Sequence, residues 1–241
     1  LDRLLDEQGR ALLILNSPCH NPTGYSLDAG EWDHVADAVA DASKMGPVTV
    51  LIDGAYALYG ARELSHDRER ILRMSEHALV TFAWSASKSF TQYGSRVGAL
   101  VAFSPRDADR RALAASFSYS CRGTWSTCNA AGMAAVTRAL VEPDLRARVD
   151  AERASLKALL DRRVAAWNEH ARAANLSYPR YDGGFFTTVL CDGAFDAAAA
   201  LQRAGVYVVP QAGALRVALC SVAERDIPRL VSAISSCVPR G

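Results

Sequence analysis

The chain reads as an α/β protein: part of a mostly parallel, open α/β sheet domain, followed by a smaller α+β unit. Three observations predict this. Short apolar runs alternate with polar, helix-periodic stretches as far as Phe103, the pattern of strand–helix repeats that build a parallel sheet. Those runs end in polar clusters, and open α/β sheets carry their ligands at the strand ends. From Tyr178 the pattern changes to short strands set between Gly-containing turns.

The elements follow in order. Ala11–Leu15 is a buried strand ending at Asn16-Ser17-Pro18. Asp28 caps a helix that reaches Met45, with apolar positions at Trp32, Val35, Ala36 and Val39, and Gly46-Pro47 breaks it. Val48–Ile52 is a β-branched strand ending in Asp53. A helical or loop segment over 67–76 leads to a third strand, Leu79–Trp84, and a fourth, Val97–Phe103. The stretch 105–140 reads as helical, with an interruption near 121–126. A long Arg- and Ala-rich helix covers 144–174. After Gly183-Gly184 come a strand (Phe185–Cys191), a helix (Phe195–Ala204), two short strands (Val206–Val209 and Leu215–Cys220) and a last helix (Glu224–Cys237). The expected domains are 1–143, a linking helix over 144–176, and 177–241. The polar stretch Asp6-Glu7-Gln8-Gly9 reads as a turn leading straight into a strand. Together with Leu1 in place of Met, it predicts a piece of a longer protein.

Composition narrows the function. A length of 241 residues at 50% hydrophobic content allows a substantial core. Charge is near balance, +1, with the signs interspersed, so no nucleic-acid footprint is expected. No apolar run reaches membrane-spanning length. The six cysteines form no C-x-x-C pair, which argues for reduced thiols, a cytoplasmic setting and no metal site.

Four polar clusters sit at predicted strand ends: Asn21-Pro22-Thr23-Gly24, Asp53 with Tyr56, Ser85-Ala86-Ser87-Lys88 with Arg96, and Arg216 inside Leu215–Leu219. Each has a plain structural reading. Asn-Pro-Thr-Gly makes a turn, a strand-end Asp caps the next helix, and a strand Arg pairs with a carboxylate. Lys88 is one of only three lysines among 27 basic residues and follows the apolar run Ala78–Trp84. It either reaches solvent on its long stem or serves as a Schiff-base nucleophile.

Taken together, in this order and spacing, these segments resemble the fold-type I, class I/II aminotransferases that use pyridoxal 5′-phosphate, the aspartate- and aromatic-type members in particular. The resemblance rests on Asn21-Pro22-Thr23-Gly24, Asp53-x-x-Tyr56, Ser85-x-Ser87-Lys88, Gly94-x-Arg96-x-Gly98, Gly183-Gly184-Phe185-Phe186 and Arg216, and runs through almost the whole chain. Thr91 and Gln92 depart from the usual small or apolar residues of the lysine motif. The resemblance implies that Lys88 holds pyridoxal phosphate as a Schiff base and then moves a proton at the substrate. It implies that Asp53 pairs with the pyridine nitrogen, and that Tyr56 and Asn21 bond the ring oxygen. It further implies that Arg96, Ser85 and Ser87 hold the phosphate and that Arg216 binds the substrate α-carboxylate. Arg122-Gly123-Thr124-Trp125-Ser126 resembles the loop that carries an arginine for a distal carboxylate into a neighbouring subunit; its plain reading is a solvent arginine in a helix break. Cys19 and His20 read as packing behind the Asn-Pro turn.

The implied reaction is transfer of an α-amino group between an amino acid and a 2-oxo acid, with dicarboxylic or aromatic substrates. The implied assembly is a homodimer completed by an N-terminal segment or complementary chain, with no nucleic acid or membrane partner. Another pyridoxal-phosphate reaction at the α, β or γ carbon (lyase, decarboxylase or cyclase) uses the same residues. A non-catalytic sensor domain is the reading from a different class.

Overall fold

The computed structural model describes residues 1–104 and 106–238; Pro105, at the start of an expected helix, and 239–241, at the end of the expected last domain, lie outside the described residues. The chain groups into two compact units. One comprises Leu1–Ser17, Leu27–Leu58 and Arg62–Arg153; the other comprises Pro18–Ser26, Tyr59–Ala61 and the chain from Ala154 onward.

The first unit opens with α1 (Asp2–Gln8), where sequence reasoning expected only a polar turn. Residues 6–8 are the last turn of that helix. Gly9 closes it in the left-handed conformation at φ 67°, a backbone shape glycine adopts without a Cβ penalty. Burial of Leu5 anchors the helix. β1 (Ala11–Leu15), α2 (Ala29–Ala42), β2 (Val48–Asp53), α3 (Arg68–His77) and β3 (Leu79–Ser85) then alternate. A four-residue helix, α4 (Ala86–Ser89), follows β3 directly and was not expected; β4 (Gly98–Phe103), α5 (Asp107–Thr124) and α6 (Ala130–Val141) complete the run.

The four strands pair in chain order. β1, β2 and β3 are parallel, with Leu15 opposite Ile52 and Asp53 opposite Ala83. β4 runs antiparallel to β3, with Gly98 opposite Ser85. The C-terminal ends of β1, β2 and β3 therefore share one edge with the start of β4. The core joins Trp32, Ala36 and Val39 of α2 to Val50, Ile52, Met74 and Val80. Those α2 residues recur at the spacing of one helix face. Asp28 accepts from the Glu31 amide while the Glu31 carboxylate accepts from the Asp28 amide, a reciprocal cap. Elsewhere apolar side chains are open: Leu12 and Ile14 of β1 are 52% and 60% exposed, and α5 buries no residue.

The long helix α7 (Pro143–Ala173) is shared, its residues to Arg153 grouping with the first unit and the remainder with the second. The second unit has β5 (Phe186–Leu190), α8 (Ala194–Arg203), β6 (Val209–Gln211), β7 (Ala214–Ala218) and α9 (Ile227–Cys237). Its sheet is antiparallel in the order β5-β7-β6. Leu160, Val164 and Trp167 of α7 pack with Leu201, Leu215, Ile227 and Ile234. One strand differs from expectation. Val206–Val208 are not paired, and β6 begins at Val209, because pairing with β7 sets the register from Val209 opposite Arg216 to Gln211 opposite Ala214. Pro210 is tolerated there because β6 lies at the sheet edge. Among the described residues no helix is long and apolar enough to cross a membrane, and no cluster of His, Cys, Asp and Glu has the makings of a metal site.

Candidate active site

In the first unit the strand-end residues gather at one edge of the sheet. Asp53 closes β2. Its Oδ1 accepts from the Ala55 amide at 3.0 Å, which turns the carboxylate back over the chain. Its carbonyl accepts from Asn16 Nδ2 at 3.1 Å, tying the end of β2 to the residue after β1. The turn passes through Gly54, where a Cβ would stand 2.1 Å from the Phe82 ring. Only glycine lets β2 leave the sheet this close to β3, and Tyr56, buried, follows from that turn.

β3 ends at Ser85, whose Oγ accepts from the Ser87 amide at 3.2 Å and caps α4. Ala86 and Ser87 are buried, so the turn is anchored and Lys88 is carried by it. Lys88 Nζ lies 5.6 Å from the Tyr56 ring centroid and 4.8 Å from that of Tyr93. The loop to β4 contains two non-glycine residues in the left-handed region, Thr91 at φ 53° and Arg96 at φ 52°. Side chains are held in that region only where the surroundings over-determine it. Arg96 donates to the Tyr93 carbonyl at 3.0 Å and to Ser87 Oγ at 3.4 Å. The unit thus places an amine, a carboxylate, two hydroxyls and a guanidinium on one sheet edge. Arg122 stands in the last turn of α5, exposed, and donates to Ser126 Oγ at 3.2 Å.

In the second unit Asn21 and Pro22 join through a cis peptide. Thr188 Oγ1 donates to the Pro22 carbonyl at 2.8 Å, and His20 Nδ1 lies 2.7 Å from Thr23 Oγ1. Gly24, at φ 74°, sits where a Cβ would be 2.2 Å from the Tyr181 ring. Arg216 lies on β7 with its guanidinium 4.7 Å from the Phe186 ring centroid. Among the described residues its buried Nε has no hydrogen-bond partner. A buried guanidinium nitrogen without an acceptor is costly unless an anion arrives. Burial pushes the Cys19 thiol up to about 12 from its ordinary 9.0, so it stays protonated and unreactive near neutral pH.

Sequence reasoning missed Tyr93 and Asn16. Tyr93 stands five residues beyond Lys88 in a polar, Gly-containing loop, and the stretch between them turns through Thr91 in the left-handed region, which sequence spacing does not show. Asn16 was read as the end of a strand, and its bond to the Asp53 carbonyl spans 37 positions.

The donor set of the first unit fits pyridoxal phosphate: Lys88 can bond an aldehyde, Asp53 suits a protonated ring nitrogen, and Arg96 with Ser85 and Ser87 suits a phosphate. In the second unit, taken by itself, the orphaned Arg216 Nε suits a carboxylate.

Residues 1–234 match the family described as aminotransferase class I and II. The aspartate aminotransferase of Pseudomonas aeruginosa is 30% identical over 184 residues, 74% of this chain and 45% of that protein. The aromatic-amino-acid aminotransferase of the same organism is 29% identical over 181 residues, 73% of this chain and 44% of that protein. A crystal structure of an aminotransferase from Anaerococcus prevotii superposes with a TM-score of 0.86 at 30% identity, over 95% of this chain and 57% of the other. The chain spans about half the length of the curated relatives it matches.

Proposed function

Because the chain belongs to the class I and II aminotransferases, we propose that it forms part of an enzyme that uses pyridoxal phosphate to move an α-amino group from an amino acid to a 2-oxo acid. The observation that carries this reading is Lys88 on an anchored turn, on the same sheet edge as Asp53 and Arg96. Relatives named for aspartate and aromatic substrates support dicarboxylic or aromatic amino acids.

Lys88 Nζ would hold the cofactor and, as a free amine, would accept the proton from the substrate Cα. Asp53 holds the proton on the ring nitrogen. When bound, pyridoxal phosphate supplies an electron sink for the charge left at that Cα. Tyr56 and Asn21 donate to the ring oxygen. Arg96, with Ser85 and Ser87, holds the phosphate dianion through charge-assisted bonds. Arg216 takes the substrate α-carboxylate as a bidentate fork, which orients the Cα–H bond. Arg122 receives a distal carboxylate. A homodimer, and a further segment covering the open apolar sides of β1 and β4, belong to the same proposal; the exposure of Leu12, Ile14, Leu100 and Val101 supports it. A cytoplasmic setting belongs to the same proposal.

The test is borohydride reduction of the full protein with excess pyridoxal phosphate, followed by peptide mass mapping. A pyridoxyl group on Lys88, with Lys44 and Lys157 unlabelled, is expected. Equal labelling of the three lysines would defeat the reading. In a half-reaction without added oxo acid, a 2-oxo acid that keeps the amino acid's whole carbon skeleton, formed together with pyridoxamine phosphate, then separates amino transfer from lyase or decarboxylase chemistry.

A further inference from the structure

Lys88 is carried by a helix of only four residues, α4, too short to satisfy its own last carbonyls. Part of its closure is local: the Phe90 amide donates to the Ala86 carbonyl at 3.0 Å, and the Thr91 and Gln92 amides make longer bonds of 3.3 Å to Lys88 and Ala86. The Ser89 carbonyl, one residue past Lys88, is met from far along the chain. Arg153 of α7 donates from Nε to it at 3.1 Å. The two terminal nitrogens of the same guanidinium hold Asp150 Oδ1 at 2.9 and 3.0 Å, which leaves Nε as the nitrogen aimed at α4. The guanidinium also lies 5.5 Å from the Phe90 ring centroid, and Phe90 stands edge-on to Trp84 of β3 at 5.9 Å. The Arg153 side chain is only 17% exposed, unusual for an arginine whose ion pair is with a neighbour on its own helix.

We propose that Arg153 is a positioning residue for Lys88: it fixes the end of the lysine-bearing turn by pinning the Ser89 carbonyl and stacking on Phe90. The consequence for the cofactor rests on the reading of Lys88 as the attachment lysine. The mechanical claim does not. A bond from a charged donor to a carbonyl at the end of a four-residue helix strengthens the turn, and the planar fork lets one side chain serve Asp150 and Ser89 together. Lysine has no second directed nitrogen with which to do this.

The test uses the full chain with Arg153→Met, which keeps an apolar stem over Phe90 but removes the donor, and Arg153→Lys, which keeps the charge without the fork. Amide hydrogen exchange is followed at Phe90, Thr91 and Gln92, with Val50 and Ile52 of β2 as references. Exchange at the three turn amides is expected to quicken by about tenfold or more in Arg153→Met, with the β2 amides unchanged and Arg153→Lys in between. Borohydride trapping of pyridoxal phosphate at Lys88 is expected to slow in the same order, measured against Lys44 and Lys157 in the same digest. Unchanged exchange at the turn overturns the proposal, and so does acceleration spread equally to β2, which marks general loosening. If the unsubstituted chain traps nothing at Lys88, the cofactor reading fails while the exchange result still decides the role of Arg153.

Discussion

Arg216 combines two properties that rarely meet in a residue kept for stability: it is a strand cation packed on the Phe186 ring, and its buried Nε has no partner among the described residues. A partly buried guanidinium whose Nε finds no acceptor adds little to stability, and replacing such a group with an apolar side chain of similar length is often neutral or better. Arg216→Met is therefore expected to leave the melting temperature unchanged or raise it, while KM for both the amino acid and the oxo acid rises by about tenfold or more. A large loss of melting temperature would show that the arginine is structural. Cys19 makes the opposite case, a potentially reactive group silenced by its surroundings. Burial raises its thiol from 9.0 to about 12. Below pH 9 both folded and unfolded chains keep the proton, so the thiol does not make stability depend on pH. Above pH 9 the unfolded chain ionises first, and stability falls as pH rises from 9 toward 12. Cys19→Ala should flatten that part of a melting-temperature-against-pH curve, and native alkylation should label the exposed Cys128 before Cys19.

At the scale of elements, the site depends on how strands leave the sheet. β2 turns away through Gly54 and β3 passes directly into α4, which puts Asp53 and Lys88 on the same edge. Gly54→Ala forces the Phe82 ring aside, with an expected loss of about 1–3 kcal/mol and weaker cofactor retention, readable by denaturant titration and by dialysis of the loaded protein. Element identity was largely legible from periodicity: α2 shows its Trp32, Ala36 and Val39 face, and β2 its β-branched run. The misses share a cause. α1 offers too few apolar positions for a periodic signal, and Leu5 is defined as a core residue only by what packs on it. β6 was displaced because Val206–Val208 have strand-like composition, while pairing partners are chosen by β7. Composition reports a preference; a neighbouring strand sets the register.

At the scale of the whole molecule, each unit has its own core, built around Trp32 in the first and Trp167 in the second. The first unit also leaves apolar side chains in the open, with Tyr119 83% and Trp125 62% exposed beside those of β1 and β4. Surfaces of this kind mark contact sites or aggregation hazards. The chain expressed by itself is expected to bind a hydrophobic dye and to self-associate in sedimentation experiments, and Leu12→Lys with Ile14→Lys should reduce both. A monodisperse, dye-silent chain would contradict this. The amino-acid sequence by itself determined the α/β class, the family and the order of the chemistry-bearing residues, because hydrophobic period and motif spacing are local properties of a chain. Only the tertiary structure decided that the Tyr93 ring returns to Lys88, that Asn16 holds Asp53, and that Arg153 reaches a carbonyl 64 positions away. Those contacts depend on backbone dihedrals and on packing between elements distant in sequence, and no short window of residues encodes them.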